Sequence, residues 1–273
     1  MLVATHGQVH HLDEIVAVCL LRNFINVNRI DFLSRAEIIP QRLANYDFVI
    51  DIGGEYDPER GRFDHHQGND PRVVDKSAAG LVFDYLVAEG YLSPSEAEYL
   101  QPVITTIDLL DNGKIRPDGT DMLKRGKLFL SPSSFIKSIT GMEHNPAKSR
   151  ECVDIFQKIV DDWLRFAKQW GKCEKEIFEQ GITVGKSVML ASADNYGPPM
   201  LEYLSEKTNF EIIGFQAGKN KFILRVVEEP DLTQRITLKK DFLPNASFVH
   251  RNGFMAVYKN MNEAISDIEK IYK

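Results

Sequence analysis

Five of the seven histidines fall in the first quarter of the chain, and aspartates accompany them at what read as the ends of successive strands. That placement constrains the fold more than any bulk property. Leu2-Val3-Ala4-Thr5 is a short apolar run that stops at His6, the pattern of a buried strand. His11 and Asp13 open a helix expected over Asp13 to Phe24, with acids in its first turn and apolar residues after them. Ile30 to Leu33 is a second expected strand. Tyr46 to Asp51 is a third, stopped by Gly53 and Gly54, and Arg62-Phe63-Asp64 is a short fourth that runs into His65 and His66. Helices are expected over Ser77 to Glu89 and Ser93 to Leu110, each opened by a serine that can cap it. Pro94 suits a first helical position, whereas Pro102 is expected to kink or split its helix. Asp108 and Asp111 lie near that helix's end, before Asn112-Gly113. Strands alternating with helices predict an α/β domain, a mainly parallel sheet flanked by helices.

In such a sheet the loops at the carboxyl ends of the strands converge on one crevice. Taken singly, each polar residue has a plain explanation. Asp13 is an ordinary acid of a helix N-terminus, Asp64 can cap a turn, and His10 reads as an exposed loop residue one step off the spacing. Taken together, imidazoles and carboxylates form a mixed nitrogen and oxygen donor set, which suits manganese, iron, cobalt or zinc better than an all-oxygen magnesium cage. Seven or so donors exceed the needs of one tetrahedral ion. They fit two ions sharing a carboxylate, roughly 3.5–4 Å apart.

The second half has another texture. Pro146 to Gly181 is one long amphipathic helix, and Val153, Phe156, Val160, Trp163, Phe166 and Trp170 read as its packing stripe rather than a platform for bases. Strands are expected at Ile182–Val184, Ser187–Ala191, Glu211–Phe215 and Lys221–Val227, with helices at Pro198–Lys207 and Asn260–Tyr272. The predicted organisation is a metal-binding domain over 1–145, a connecting helix over 146–180 and a smaller α+β domain over 181–273. Net charge is −6, which argues against coating long nucleic acid by charge alone. The cysteines, Cys19, Cys152 and Cys173, form no CxxC, so a reducing cytoplasm is the expected compartment. The run Ile15 to Leu21 is too short to span a bilayer, so no membrane partner is expected.

Four stretches carry a resemblance. Asp51-Ile52-Gly53-Gly54-Glu55-Tyr56-Asp57-Pro58 with Arg62-Phe63-Asp64-His65-His66-Gln67 resembles the signature of one branch of the DHH phosphoesterase superfamily, the melanocyte proliferating gene 1 type exoribonucleases. Thr5-His6 with His11-Leu12-Asp13-Glu14 resembles its opening motif, and Ile107 to Gly113 its fourth; Phe248-Val249-His250 with Gly253-Phe254 is similar to its C-terminal signature. The opening motif departs from the branch, which usually has Asn-Gly after the first histidine and an aromatic before the second, where Gly7-Gln8-Val9-His10 stand here.

The resemblance implies roles. His6, His11 and Asp51 would hold one metal ion, and Asp13, Asp51, His65 and Asp108 the other, with Asp51 bridging. Asp108 is favoured because Ile104 to Asp108 is closer to the general superfamily pattern; Asp111 is the alternative ligand. Asp64 would orient His65, and His66 would face the substrate phosphate or the leaving group. His250, Arg235 and Arg251 would bind substrate from the second domain. The cofactor implied is two divalent ions, manganese first, with magnesium or cobalt as alternatives. The activity implied is phosphodiester hydrolysis, as an exonuclease on short single-stranded RNA or DNA, with a small nucleotide or dinucleotide as the alternative substrate. A non-catalytic, metal-dependent regulatory protein is the reading from another class. Most of the C-terminal lysines, such as Lys219 and Lys239, read as a solvated face.

Overall fold

The first sheet is built around β1 (Leu2–His6), whose burial leaves Val3 and Ala4 with no exposed surface. β2 (Arg29–Leu33) and β3 (Phe48–Ile50) pair with β1 in parallel on either side. β5 (Arg62–Phe63) pairs in parallel with β3, and β4 (Tyr56–Asp57) closes the edge antiparallel to β5. The strand order is therefore β2-β1-β3-β5-β4, a mainly parallel sheet as expected, with β4 added by the turn that precedes Pro58. The third strand ends at Ile50 rather than Asp51, because Asp51 adopts φ 58°, a left-handed conformation that no strand accommodates.

The computed structural model describes residues 1–67, 70–115, 132–192, 197–229 and 233–272. Part of the expected first domain, 116–131, thus lies outside the described residues. The chain divides into two compact units, Met1–Leu164 and Arg165–Lys273.

In the first unit α1 (Leu12–Phe24) is buried on every side from Asp13 to Leu21, which marks it as a central helix rather than a surface one. It packs against α3 (Ala78–Ala88) and α4 (Pro94–Asp111). On another side of the sheet, Leu43 of the short α2 (Pro40–Leu43) and Tyr46 meet Ala4, Leu33 and Val49. Ser77 caps α3 by accepting from the Gly80 N–H, and Ser93 caps α4 by accepting from the Glu96 N–H. α4 runs through Pro102 without a break, so the helix is not split there. Pro102 sits on the exposed face, where the carbonyl one turn back can tilt toward water. α5 (Pro132–Thr140) precedes α6 (Pro146–Lys175), which crosses the division between the units and ends in a π-helical turn at Glu176–Gln180.

The second unit has a six-stranded sheet of its own. Its strands are β6 (Ile182–Val184), β7 (Ser187–Leu190), β8 (Ile212–Gln216), β9 (Phe222–Val226), β10 (Phe248–Val249) and β11 (Met255–Tyr258), in the order β10-β11-β9-β8-β7-β6. Only β7 and β8 run parallel, joined through α7 (Pro198–Lys207). Two apolar clusters flank the sheet. One holds Phe222, Leu224 and Tyr258 with Ala264 and Ile268 of α8 (Met261–Ile271); the other holds Val188, Ile213 and Phe215 with Met200 and Leu204 of α7 and Cys173 of α6. The β10–β11 hairpin was not foreseen in the sequence. The whole is a mixed α/β architecture with two sheets flanked by helices.

Candidate metal centre

His6 closes β1, and its Nδ1–H donates to the carbonyl of Gln8 at 2.8 Å. That bond places the ring proton on Nδ1 and turns the Nε2 lone pair toward Asp51 Oδ2 at 3.2 Å and Glu14 Oε1 at 3.5 Å. A lone pair facing carboxylate oxygens at these distances is repulsive unless a proton or a cation lies between them. Asp51 follows β3 in the left-handed conformation, which an aspartate tolerates better than most residues. Its N–H still donates to the Phe63 carbonyl at 2.9 Å, so the strand pairing continues while the side chain leaves the sheet. The Asp51 carboxylate is buried, and its Oδ1 has no hydrogen-bond partner although His65 Nε2 lies 3.2 Å away.

Asp13, in the first turn of α1, accepts from the Ala78 N–H at 3.2 Å through Oδ2, and its Oδ1 is buried without a partner. His65 Nε2 lies 3.2 Å from Asp111 Oδ2 and 3.9 Å from Asp13 Oδ2. Donor atoms gather in three groups, each close enough to share one ion: His6, His11, Glu14 and Asp51; Asp51, His65 and His66; and His11, Asp13 and Asp111. Asp51 belongs to two of the groups, and His11 also to two.

The electrostatics agree with the geometry. Burial pushes the Asp13 carboxyl up to about 8, and the Asp51 and Asp111 carboxylates push the same way. Burial also acts to raise Asp51, but His6 and His65 outweigh it and hold it below the ordinary range. Glu14 is raised well above its ordinary value, by burial first and by Asp13 next. The protein alone thus leaves clustered carboxylates short of positive charge, and the orphaned oxygens of Asp13 and Asp51 fit a divalent cation.

Several residues stand elsewhere than expected. Asp108, favoured as the ligand from α4, is turned away: its Oδ1 accepts from the Ser77 N–H at 2.9 Å and hydroxyl at 2.7 Å. Gly80 makes room for it, since a Cβ there would stand 2.3 Å from Asp108 Oδ1. Asp111, the alternative, is the α4 carboxylate that reaches His65. Asp64 holds His66, not His65. Its Oδ1 accepts from His66 Nδ1–H at 2.7 Å and from the His66 backbone N–H, while Oδ2 accepts from the Gly54 N–H at 2.6 Å. Residues two apart along an extended segment share a side, which brings Asp64 to His66. The hydrogen bond to Asp64 raises His66 to about 9, burial opposing, and its side chain is 64% exposed.

His10 is buried rather than an exposed loop residue. Its Nδ1 meets Glu14 Oε1 at 2.9 Å, its Nε2 meets Ser149 Oγ at 2.7 Å, and its ring stacks on His6 with centroids 5.4 Å apart. Glu14 is the residue the sequence reading missed. Two features marked it: it stands three residues after His11 as a capping-box acid, and it accepts from the His11 N–H through both oxygens.

In the second unit Arg235 is spent on its own fold. Nε donates to Glu229 at 2.6 Å, Nη1 to the carbonyls of Thr208 at 2.8 Å, Phe210 at 2.7 Å and Leu204 at 3.2 Å, and Nη2 to that of Ser205 at 2.6 Å. A guanidinium so engaged caps the C-terminal end of α7, a structural role that the sequence did not suggest. His250 is half-buried beside Phe254, with centroids 4.2 Å apart, and its Nδ1 accepts from the Asn252 N–H, so the proton sits on Nε2. Arg251 is exposed in the turn that follows.

Fold and donor set together define an α/β protein with a histidine–aspartate cluster gathered at the carboxyl ends of its parallel strands. The chain belongs to the MYG1 exonuclease family, described as an uncharacterised protein family (UPF0160), whose model matches residues 2–196. It is similar to the MYG1 protein of Chlamydia trachomatis, 36% identical over 300 residues that cover 99% of this chain and 96% of that protein. It is also similar to the MYG1 exonuclease of Homo sapiens, 30% identical over 134 residues, which cover 41% of this chain and 35% of that protein. Among solved structures, a pGpG-specific phosphodiesterase from Vibrio aligns with 99% of this chain and 96% of its own at 15% identity, with a TM-score of 0.31, a likeness too weak to carry an argument. Among the described residues no helix is long and apolar enough to cross a membrane.

Proposed function

We propose that this chain is a metal-dependent phosphodiesterase, an exonuclease on short nucleic acid strands. The observation that carries the reading is Asp51: a buried carboxylate in a left-handed conformation, shared by two donor groups and left with an orphaned oxygen. Membership of the family, and the activity in the names of relatives such as the human one, support it.

His6, His11 and Asp51 would hold one divalent ion, with Glu14 behind them. Asp13, Asp51, His65 and Asp111 would hold a second. Two divalent ions held there, manganese by preference, would supply charge to neutralise phosphate oxygens and acidify water. The remaining steps belong to the chain. His66 is the exposed acid of the cluster, and Asp64, braced by the Gly54 N–H, holds its Nδ1–H so that Nε2–H points outward to a departing oxygen. Glu14 receives the His11 N–H and fixes the turn that presents both His6 and His11. Asp108 fixes the start of α3, which in turn supplies the Ala78 N–H to Asp13.

A dinucleotide substrate is the second reading. The net charge of −6 and the engagement of Arg235 within its own unit favour a short ligand over a long polyanion. The test is incubation of purified protein with manganese and end-labelled RNA, DNA and dinucleotides. Stepwise shortening of the strands supports the exonuclease; cleavage of dinucleotides alone supports the second reading. No cleavage of any of them by metal-loaded protein would sink both.

A further inference from the structure

A cavity of about 320 Å³ opens in the first unit, walled by Ile38, Leu43, Val49 and Ile52 and edged by Arg60, Arg62 and Glu55. It shares the Ile52-Gly53 loop with the metal centre but none of the candidate ligands. Its charges are uneven. Glu55 accepts from Arg60 Nη2, and Arg60 Nε also donates to Asp57 at 2.7 Å, so Arg60 is held by two carboxylates. Arg62 has no such partner. Its Nη1 donates to the Arg60 carbonyl at 2.7 Å, and its remaining contacts, to the carbonyls of Asp47, Gly61 and Leu43, are each 3.4 Å long. No carboxylate among the described residues lies within ion-pair distance of it. Burial and the neighbouring Arg60 work against its charge, while Asp57 and Asp47, at longer range, support it. A guanidinium kept partly from water beside an aliphatic wall, with no carboxylate in direct contact, still has donors to offer an anion that brings its own apolar body. The volume and the mostly aliphatic lining are those of a small-ligand site.

We infer that this cavity binds a small amphiphilic anion, with its carboxylate or phosphate on Arg62 and its hydrocarbon part against Ile38, Leu43, Val49 and Ile52. Among the described residues no aromatic side chain lines the cavity, so an aliphatic body fits it better than a stacked base.

The experiment is fluorescence titration of the full chain with anilinonaphthalene sulfonate, followed by displacement with octanoate, octyl phosphate and octanol. Octanoate or octyl phosphate should displace the dye, and the better of the two identifies the anion. Octanol, which lacks the charge, should compete about tenfold more weakly or worse, the value of one charge-assisted hydrogen bond. Arg62→Gln, which keeps a donor for the Arg60 carbonyl, should weaken both anions by a similar factor. Ala44→Trp, at an exposed rim position, should abolish displaceable binding and covers the case in which Arg62→Gln fails to fold. Equal competition by octanol and octanoate, undiminished binding in Ala44→Trp, or no displaceable binding in the wild type would each overturn the proposal.

Discussion

Arg235→Met separates two accounts of one residue. As a substrate ligand, Arg235 could be lost with the fold intact. The structure instead gives it a helix end to hold. Three carbonyl contacts at 2.8 Å or shorter, to Ser205, Thr208 and Phe210, converge on its guanidinium, which is largely shielded from water. Hydrogen bonds from a charged donor contribute about 1.5–3 kcal/mol each, and a carbonyl that can rehydrate after the change loses less. Methionine keeps the aliphatic stem, so packing is mostly preserved. The expected cost is about 3 kcal/mol, discounted for that rehydration, and for a domain of this size it lowers the melting temperature by roughly 10–20 °C. The Glu229 ion pair adds little, since that carboxylate is 41% exposed. Arg235→Lys should recover only part of the loss, because an ammonium cannot span carbonyls from Leu204 to Phe210. Calorimetry on the full chain reads the transition of the second unit directly. An unchanged transition together with impaired substrate binding would refute the capping role and restore the substrate role.

Asp111→Asn should lower metal content, whereas Asp108→Asn should leave metal content near wild type and reduce stability; metal analysis beside urea unfolding separates them, and the reverse outcome would reinstate Asp108 as the ligand. Gly80→Ala forces a Cβ into the Asp108 carboxylate and should cost about 1–3 kcal/mol, read as a lower urea midpoint; a neutral result would mean that Asp108 is free to move. Burial pushes the Cys152 and Cys173 thiols up to about 12, so at pH 8 they remain protonated and should resist iodoacetamide until the chain unfolds. Rapid labelling of the native protein would show that these sites open.

Much of the centre was legible because strand ends are readable: an apolar run that stops on a histidine or aspartate fixes both the strand and the direction of the loop beyond it. His6, Asp51 and His65 come together on that logic, and Asp13 joins them from the first turn of α1. What remained hidden depends on rotation about a helix or along an extended segment. Asp108 and Asp111 are three residues apart on α4, so both point broadly the same way, and only the room left by Gly80 decides which carboxylate turns inward to Ser77. Asp64 lies next to His65 in sequence but shares a side with His66. His10 looked exposed because its partner Ser149 is 139 residues away, on a helix whose docking no local pattern encodes. Arg235 looked available because its acceptors are backbone carbonyls, which leave no trace in the order of side chains.

The central claim is that Asp51 joins two metal ions. Metal content after equilibration with manganese and removal of free ion, measured on the wild type and on Asp51→Asn, tests it most directly. The account predicts two ions per wild-type chain and essentially none in the variant, because among the described residues Asp51 is the one carboxylate that belongs to two of the donor groups. Two ions retained by Asp51→Asn would contradict it.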